Sequence, residues 1–297
     1  MSVSRNVFIA LVLAPYALLA QQERSPVTGD LFTWSGRLTA GSTVGIRSFN
    51  GPIDVRESAS DRVEFHASRP TRRSGDLSFE VETGANGVQL CAVYRGRSAC
   101  DNSRRNWGGD WDEGPGSTRV TVMLPKGVRL DARTGNGDVT VERASNDVDI
   151  SSGNGDVRVR LTAGRVDVRT GNGELEIEGA TGPVDASTGN GRVYVTTSTG
   201  PVSVSTGNGE IDVRMNAISG MGDMEFTTGN GSVTVAVPAN FNADIEARTG
   251  HGEFRSDFEI RVQGRLNPRN IRGTIGNGGR RIRMVSGNGR LELRRAN

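Results

Sequence analysis

Aromatic side chains are scarce in this 297-residue chain, at 5% of residues. A core built here has to come from Val, Ile and Leu, and nothing in the sequence offers an aromatic platform on which nucleic-acid bases could stack. Histidine is rarer still. His66 and His251 are the only imidazoles, so few histidine bases are available, and no Ser-His-Asp arrangement or nucleophile elbow is present. Two cysteines, Cys91 and Cys100, have no His nearby and cannot complete a tetrahedral zinc shell; a redox C-x-x-C is also missing. Ten prolines against 41 glycines exclude collagen, and a net charge of +2 excludes a highly charged disordered chain. No apolar run reaches the roughly 20 residues a spanning helix needs. Together these shortages point away from an ordinary α/β enzyme and towards a β-rich, turn-rich protein.

The longest apolar run, Val7 to Ala20, follows Arg5 and precedes the polar pair Gln21-Gln22. That order reads as a secretory signal over residues 1–20, which leaves no transmembrane span in the mature chain. Export to the periplasm, the outer surface or the medium is expected. In an oxidising compartment Cys91 and Cys100, nine positions apart, are expected to pair as a disulfide, the alternative being two free buried thiols.

What the chain has in abundance is one repeated turn. Thr or Ser followed by Gly-Asn-Gly recurs with Asn136, Asn154, Asn172, Asn190, Asn208 and Asn230 at its centre; the first four steps are 18 residues and the fifth is 22. His251 takes the Asn place in the next copy, and Asn277 and Asn288 end the series. Between turns, two short runs alternate apolar and polar residues, as in Asp156-Val-Arg-Val-Arg and Arg165-Val-Asp-Val-Arg. Period two, rich in Val, is strand. Val157, Val159, Val166 and Val168 should point inward, as should Leu175, Ile177, Val184 and Ala186, then Val193, Val195, Val202 and Val204.

One such coil cannot bury enough to stand alone, so coils must stack. The expected fold is an all-β single-chain solenoid with coils of about 18 residues and two short strands per coil; a meander of hairpins is the competing architecture. Equal spacing stacks like on like. Thr134, Ser152, Thr170, Thr188 and Thr206 should form a hydroxyl ladder, and the asparagines a ladder of side-chain amides. Residues 21–120 read as a less regular β region containing a partial unit (Val44, Ile46, Ser48-Phe-Asn-Gly, Ile53, Val55), the cysteine loop and an aperiodic stretch rich in Gly, Asp and Trp. Residues 121–297 form the regular solenoid, with residues 253–275 widening its last coils and Gly276–Arg295 closing the stack.

The Gly-Asn-Gly strand repeats, the loop VQLCAVYRG…C and the ending GTIGNGG…VSGNGRLELR resemble the bacterial putative-adhesin family of β-strand-repeat proteins, domains of unknown function, over residues 35–295. The resemblance implies an extracytoplasmic, adhesin-like β-solenoid and brings no catalytic residue with it.

The residues themselves decide between several chemistries. After each Gly-Asn-Gly stand Asp138, Asp156, Glu174, Arg192, Glu210 and Ser232; the Arg and Ser interrupt any periodic calcium row, and no metal site is expected. The G-x-G turns lack the third Gly and the helix of a dinucleotide site, so no cofactor is expected. Asp149, Asp167, Asp185 and Asp212 are outward acids that a polysaccharide-degrading solenoid could use, but their Arg and Thr neighbours read as a solvated face. The expected binding surface is Trp107 and Trp111, with Tyr94, Arg104 and Arg105 close by. Residues 248–297 hold 12 arginines against four acids, which makes Arg280, Arg281, Arg283, Arg290, Arg294 and Arg295 candidate polyanion contacts. The functional expectation is a non-catalytic rod that adheres or scaffolds at the envelope, its partner a cell-surface or envelope polysaccharide or another envelope protein, with no nucleic acid. The alternatives are a polysaccharide-degrading β-helix enzyme and a purely structural envelope protein.

Overall fold

The computed structural model describes residues 22–23, 31–68, 77–100, 116–197, 199–219, 222–264 and 267–296. The N-terminal apolar segment, Trp107, Trp111, Arg104 and Arg105 lie outside the described residues.

Each 18-residue unit contributes one strand to each of two sheets. Val148–Asn154 enters the first sheet, the chain turns at Gly155, and Val157–Arg160 enters the second. The next unit repeats this with Val166–Asn172 and Leu175–Ala180. Successive copies pair in parallel and in register: Val148 lies beside Val166, Ile150 beside Val168, and Asn154 beside Asn172. Among the described residues the two sheets hold 15 and 12 strands, and no helix occurs. The inward Val, Ile and Leu positions named above are fully or nearly fully buried and belong to one continuous core from Phe32 to Leu293. The stacked coil replaces the hairpin meander because each strand's backbone partners lie one repeat away, not one turn away.

The Gly-Asn-Gly corner explains itself at close range. Gly191 has φ +152°, and a Cβ placed on it would sit 1.9 Å from the carbonyl oxygen of Gly173 in the coil below. The corner can stack on itself only because it carries no side chain there. Between the glycines, the asparagines form the expected amide ladder. Nδ2 of Asn136, Asn154, Asn172, Asn190, Asn208, Asn230 and Asn288 each donates to Oδ1 of the asparagine below, beginning at Asn50, over 2.6–2.8 Å.

The hydroxyl ladder is corrected. The Thr and Ser side chains do stack and are buried, but they do not bond to one another. Ser152, Thr170, Thr188 and Thr206 each donate to the carbonyl of the second glycine in the coil below, Gly137, Gly155, Gly173 and Gly191, at 3.0–3.1 Å. That carbonyl lies closer than the neighbouring hydroxyl and gives the corner a second cross-coil bond.

Cys91 and Cys100 are joined in a disulfide with Cα atoms 5.5 Å apart. Both sheets run unbroken across residue 120. Thr43–Asn50 and Ile53–Glu57 pair with Arg129–Asn136 and Val139–Val141 on one side, and with Gly87–Tyr94 and Arg119–Leu124 on the other. Antiparallel strands Leu31–Arg37, Arg62–Ser68 and Leu77–Gly84 finish that end.

The other end departs from expectation. Gly276–Arg295 does not close the stack: Arg281–Asn288 and Leu291–Arg295 insert between the coil Met224–Asn230/Val233–Val237 and the coil Ala243–His251/Phe254–Ser256. The outermost strands of the first sheet there are Asn270–Ile275 and Arg261–Val262, both antiparallel. Every coil presents the same turn register, so order in the chain does not dictate order in the stack. Asn288 therefore rests on Asn230, and His251 faces Asn288 from beyond. Asn277 lies outside the ladder, its backbone N–H donating to Asn242 Oδ1 at 2.9 Å.

Candidate binding faces

Alternation that buries Val193 and Val195 turns Tyr194 outward on the second sheet. Register then decides its neighbours: Arg158, Glu176, Tyr194, Asp212 and Thr234 follow one another across five adjacent strands. At roughly 4.8 Å between strands, the ring has a carboxylate on either side. A shallow groove of about 380 Å³ opens here, lined by Arg158, Glu174, Glu176, Arg192, Tyr194 and Glu210 with Asp212. Arg158 pairs with Glu176 at 3.2 Å and Asp156 at 3.4 Å, and Arg192 pairs with Glu210 at 2.9 Å. Among the described residues, the carboxylates of Glu174 and Asp212 and the Tyr194 hydroxyl make no such bond. The other described aromatic rings belong to the core or pack against it.

The first sheet carries a different outward row, Asp131, Asp149, Asp167 and Asp185, stacked in register. Arg47 holds Asp131 at 2.6 Å, and Arg169 holds Asp167 at 3.0 Å. Arg165 lies 3.7 Å from both Asp167 and Asp185. Asp149 sits between two like charges. Burial, and then the charges of Asp131 and Asp167, push its carboxyl above the ordinary 3.8, while Arg133 and Arg169 oppose the shift. The folded state therefore binds this proton more tightly than the unfolded chain does. Asp149's contribution to stability is greatest below 3.8 and declines as pH rises through the raised folded value. We expect Asp149→Asn to raise the thermal midpoint at pH 7 and to leave it unchanged near pH 3. A pH series of melting curves on parent and variant checks this; a variant that melts lower than the parent at pH 7 would refute it.

Two of the carboxylates that follow the repeated turn, those of Asp138 and Asp156, serve the backbone. Asp138 Oδ1 accepts the N–H of Asp156, and Asp156 Oδ1 accepts that of Glu174, each at 2.9 Å. Among the described residues no group of three or more His, Cys, Asp or Glu side chains is placed to hold a metal ion.

This architecture, two in-register parallel sheets joined by a laddered corner, has a match at the level of sequence families. A family described as Toastrack DUF4097 matches residues 109–294. The chain belongs to that family. Among solved structures, this Toastrack chain is similar to a putative adhesin from Bacteroides fragilis at 14% identity, covering 91% of this chain and 98% of that one with a TM-score of 0.47. A putative adhesin from Parabacteroides distasonis is 12% identical, covering 89% and 97%, TM-score 0.47. A putative lipid binding protein from the same organism is 11% identical, covering 89% and 97%, TM-score 0.41. At these scores the likenesses decide nothing about function. No curated protein matches the chain.

On the Toastrack scaffold the residues expected to bind are placed as follows. Tyr94 ends the strand Gly87–Tyr94 at 5% exposure with the Arg95 guanidinium 5.3 Å from its ring centre, so it is a core-side ring and not an open face. The C-terminal arginines divide between the two sheets, and some of them meet acids that the chain keeps far away in sequence. Arg281 pairs with Asp223 at 3.1 Å and Arg283 with Glu225; Arg290 lies 3.4 Å from Glu292 and 3.8 Å from Glu253, and Arg294 also pairs with Glu292. Arg280 and Arg295 lie over the rings of Phe241 and Phe258 at 6.0 and 5.4 Å. Inserting their coil beside Asp223 and Glu225 pairs Arg281 and Arg283 with acids from outside residues 248–297, a pairing invisible in a linear tally. Asp149, Asp167 and Asp185 share one face, whereas Asp212 is on the opposite sheet. Tyr194 was missed, although its signal was legible: a tyrosine at an outward period-two position of a regular coil.

Proposed function

We propose that this Toastrack protein is an exported, non-catalytic, adhesin-like module that attaches to cell-surface or envelope polysaccharide through the outer face of its second sheet. The observation that carries the reading is Tyr194, a ring turned away from the core in a groove with unpaired hydrogen-bonding groups on a backbone that every neighbouring strand holds in place. A flat ring with polar groups beside it suits a sugar ring, which offers one apolar face and a rim of hydroxyls. The Cys91–Cys100 disulfide and the N-terminal apolar segment support an extracytoplasmic setting.

The test is a pull-down of the chain from Gln21 onward on a panel of insoluble bacterial and host polysaccharides, with released sugar followed in the same tubes. Retention without release is expected, and Tyr194→Ala should lower retention by roughly tenfold, a stacking contribution of about 1–2 kcal/mol. Failure to bind any polymer would overturn the proposal. Release of sugar would replace it with the enzymatic alternative.

A further inference from the structure

The charge of the Tyr194 groove narrows the ligand beyond polysaccharide in general, a narrowing that rests on the proposed sugar-binding role. Four carboxylates, Glu174, Glu176, Glu210 and Asp212, line it against two guanidiniums, Arg158 and Arg192, a net of −2. Both guanidiniums are committed, Arg158 to Glu176 and Asp156, Arg192 to Glu210. The surplus is therefore located: it is Glu174 at the turn and Asp212 beside the ring. An anionic sugar would have to separate an existing ion pair and then face these two charges. A neutral sugar donates hydroxyls to these carboxylates but leaves both charges uncompensated. A protonated amine meets both demands, since it is attracted to the face of Tyr194 and to a carboxylate at its side.

We infer that the Tyr194 groove is a subsite for an amine-bearing glycan, a chain of amino sugars whose nitrogens are unacetylated and protonated. Asp212 takes the ammonium, Tyr194 carries the apolar face of the ring, and its free hydroxyl bonds to the rim. A cationic peptide fits less well. The groove lies in the interior of the second sheet, where Leu175–Ala180, Val193–Thr197 and Ile211–Met215 are paired on both sides. No open backbone edge is available there to receive an extended chain.

The experiment titrates the full chain with a glucosamine hexasaccharide, its fully N-acetylated counterpart and hexalysine. The expected result is measurable binding of the free-amine sugar, at least about tenfold weaker binding of the acetylated sugar and of hexalysine, and weakening with added salt. Asp212→Asn and Tyr194→Ala should each weaken the free-amine sugar several-fold without moving the thermal midpoint, and Asp185→Asn on the opposite sheet should not weaken it. Equal binding of the two sugars, equal binding of hexalysine, or an Asp212→Asn variant that binds like the parent would overturn the inference. If the polysaccharide panel shows Tyr194-dependent retention on a neutral or anionic polymer instead, the amine specificity fails while the broader proposal stands. If it shows no retention at all, both fail.

Discussion

Val195→Asp is expected to abolish the cooperative thermal transition of this chain, while Tyr194→Ala, one residue away, moves it by no more than about 2 °C. The two side chains leave the same strand in opposite directions. Val195 is fully buried and stacks in register between Ile177 and Val213, themselves fully buried. A carboxylate there has no cation and no donor within a core of aliphatic side chains, and burying it unpaired costs several kcal/mol even after it takes up a proton. Because coils share their core, the charge disturbs the coil above and the coil below together. Set against a total stability of about 5–15 kcal/mol, that loss is decisive. Gly191→Ala should act as severely by another route: its methyl would meet the Gly173 carbonyl at 1.9 Å, and φ +152° is a conformation that side chains resist. Circular dichroism melts of the variants settle both. A normal transition in Val195→Asp would mean that the inside and outside of the strand are wrongly assigned.

Much of this fold is legible in the sequence. Period-two Val between equally spaced turns is enough to name the inward residues, because a strand has only two faces and the polar residues claim one. The asparagine ladder from Asn136 to Asn208 follows from equal spacing alone. The hydroxyl partners did not follow, since spacing shows which residues stack but not which of two nearby acceptors is closer. Nor could the coil order at the ends be read. With one register shared by every coil, Asn230 can stack on Asn208 and Asn288 equally well, and the long return through residues 257–280 lets a later coil take an earlier place. The proposed binding face was partly hidden for the same reason. Tyr194 and its two flanking carboxylates are 18 residues apart and become neighbours only through the ladder. The partners of Arg281 and Arg283 were hidden in the same way, because Asp223 and Glu225 become their neighbours only through the inserted coil.

That insertion makes the C-terminal strands a wedge. A chain ending at Arg280 should melt more than about 10 °C below the parent and bind a hydrophobic dye, whereas deletion of Arg165–Gly182 should cost less than half as much. The internal deletion removes one 18-residue coil, and its cut ends are equivalent positions of neighbouring coils, so Asn154 meets Asn190 with every register intact. Losing the wedge is different. Ile282, Met284, Leu291 and Leu293 are fully buried, roughly 6–12 kcal/mol of gross apolar burial at about 1.5–3 kcal/mol each. Their departure also strips strands on both sides: Met224–Asn230 and Val233–Val237 lose their upper partners, and Ala243–His251 and Phe254–Ser256 their lower ones. Asp223 loses the Arg281 N–H that its carboxylate accepts, so the turn leading into Met224–Asn230 loosens as well. If the truncated chain instead melted as mildly as the internal deletion, the Ala243–His251 coil would have moved down one place to rest directly on Met224–Asn230. The end of the solenoid would then be a sliding stack, and the inserted coil would not be what holds it closed.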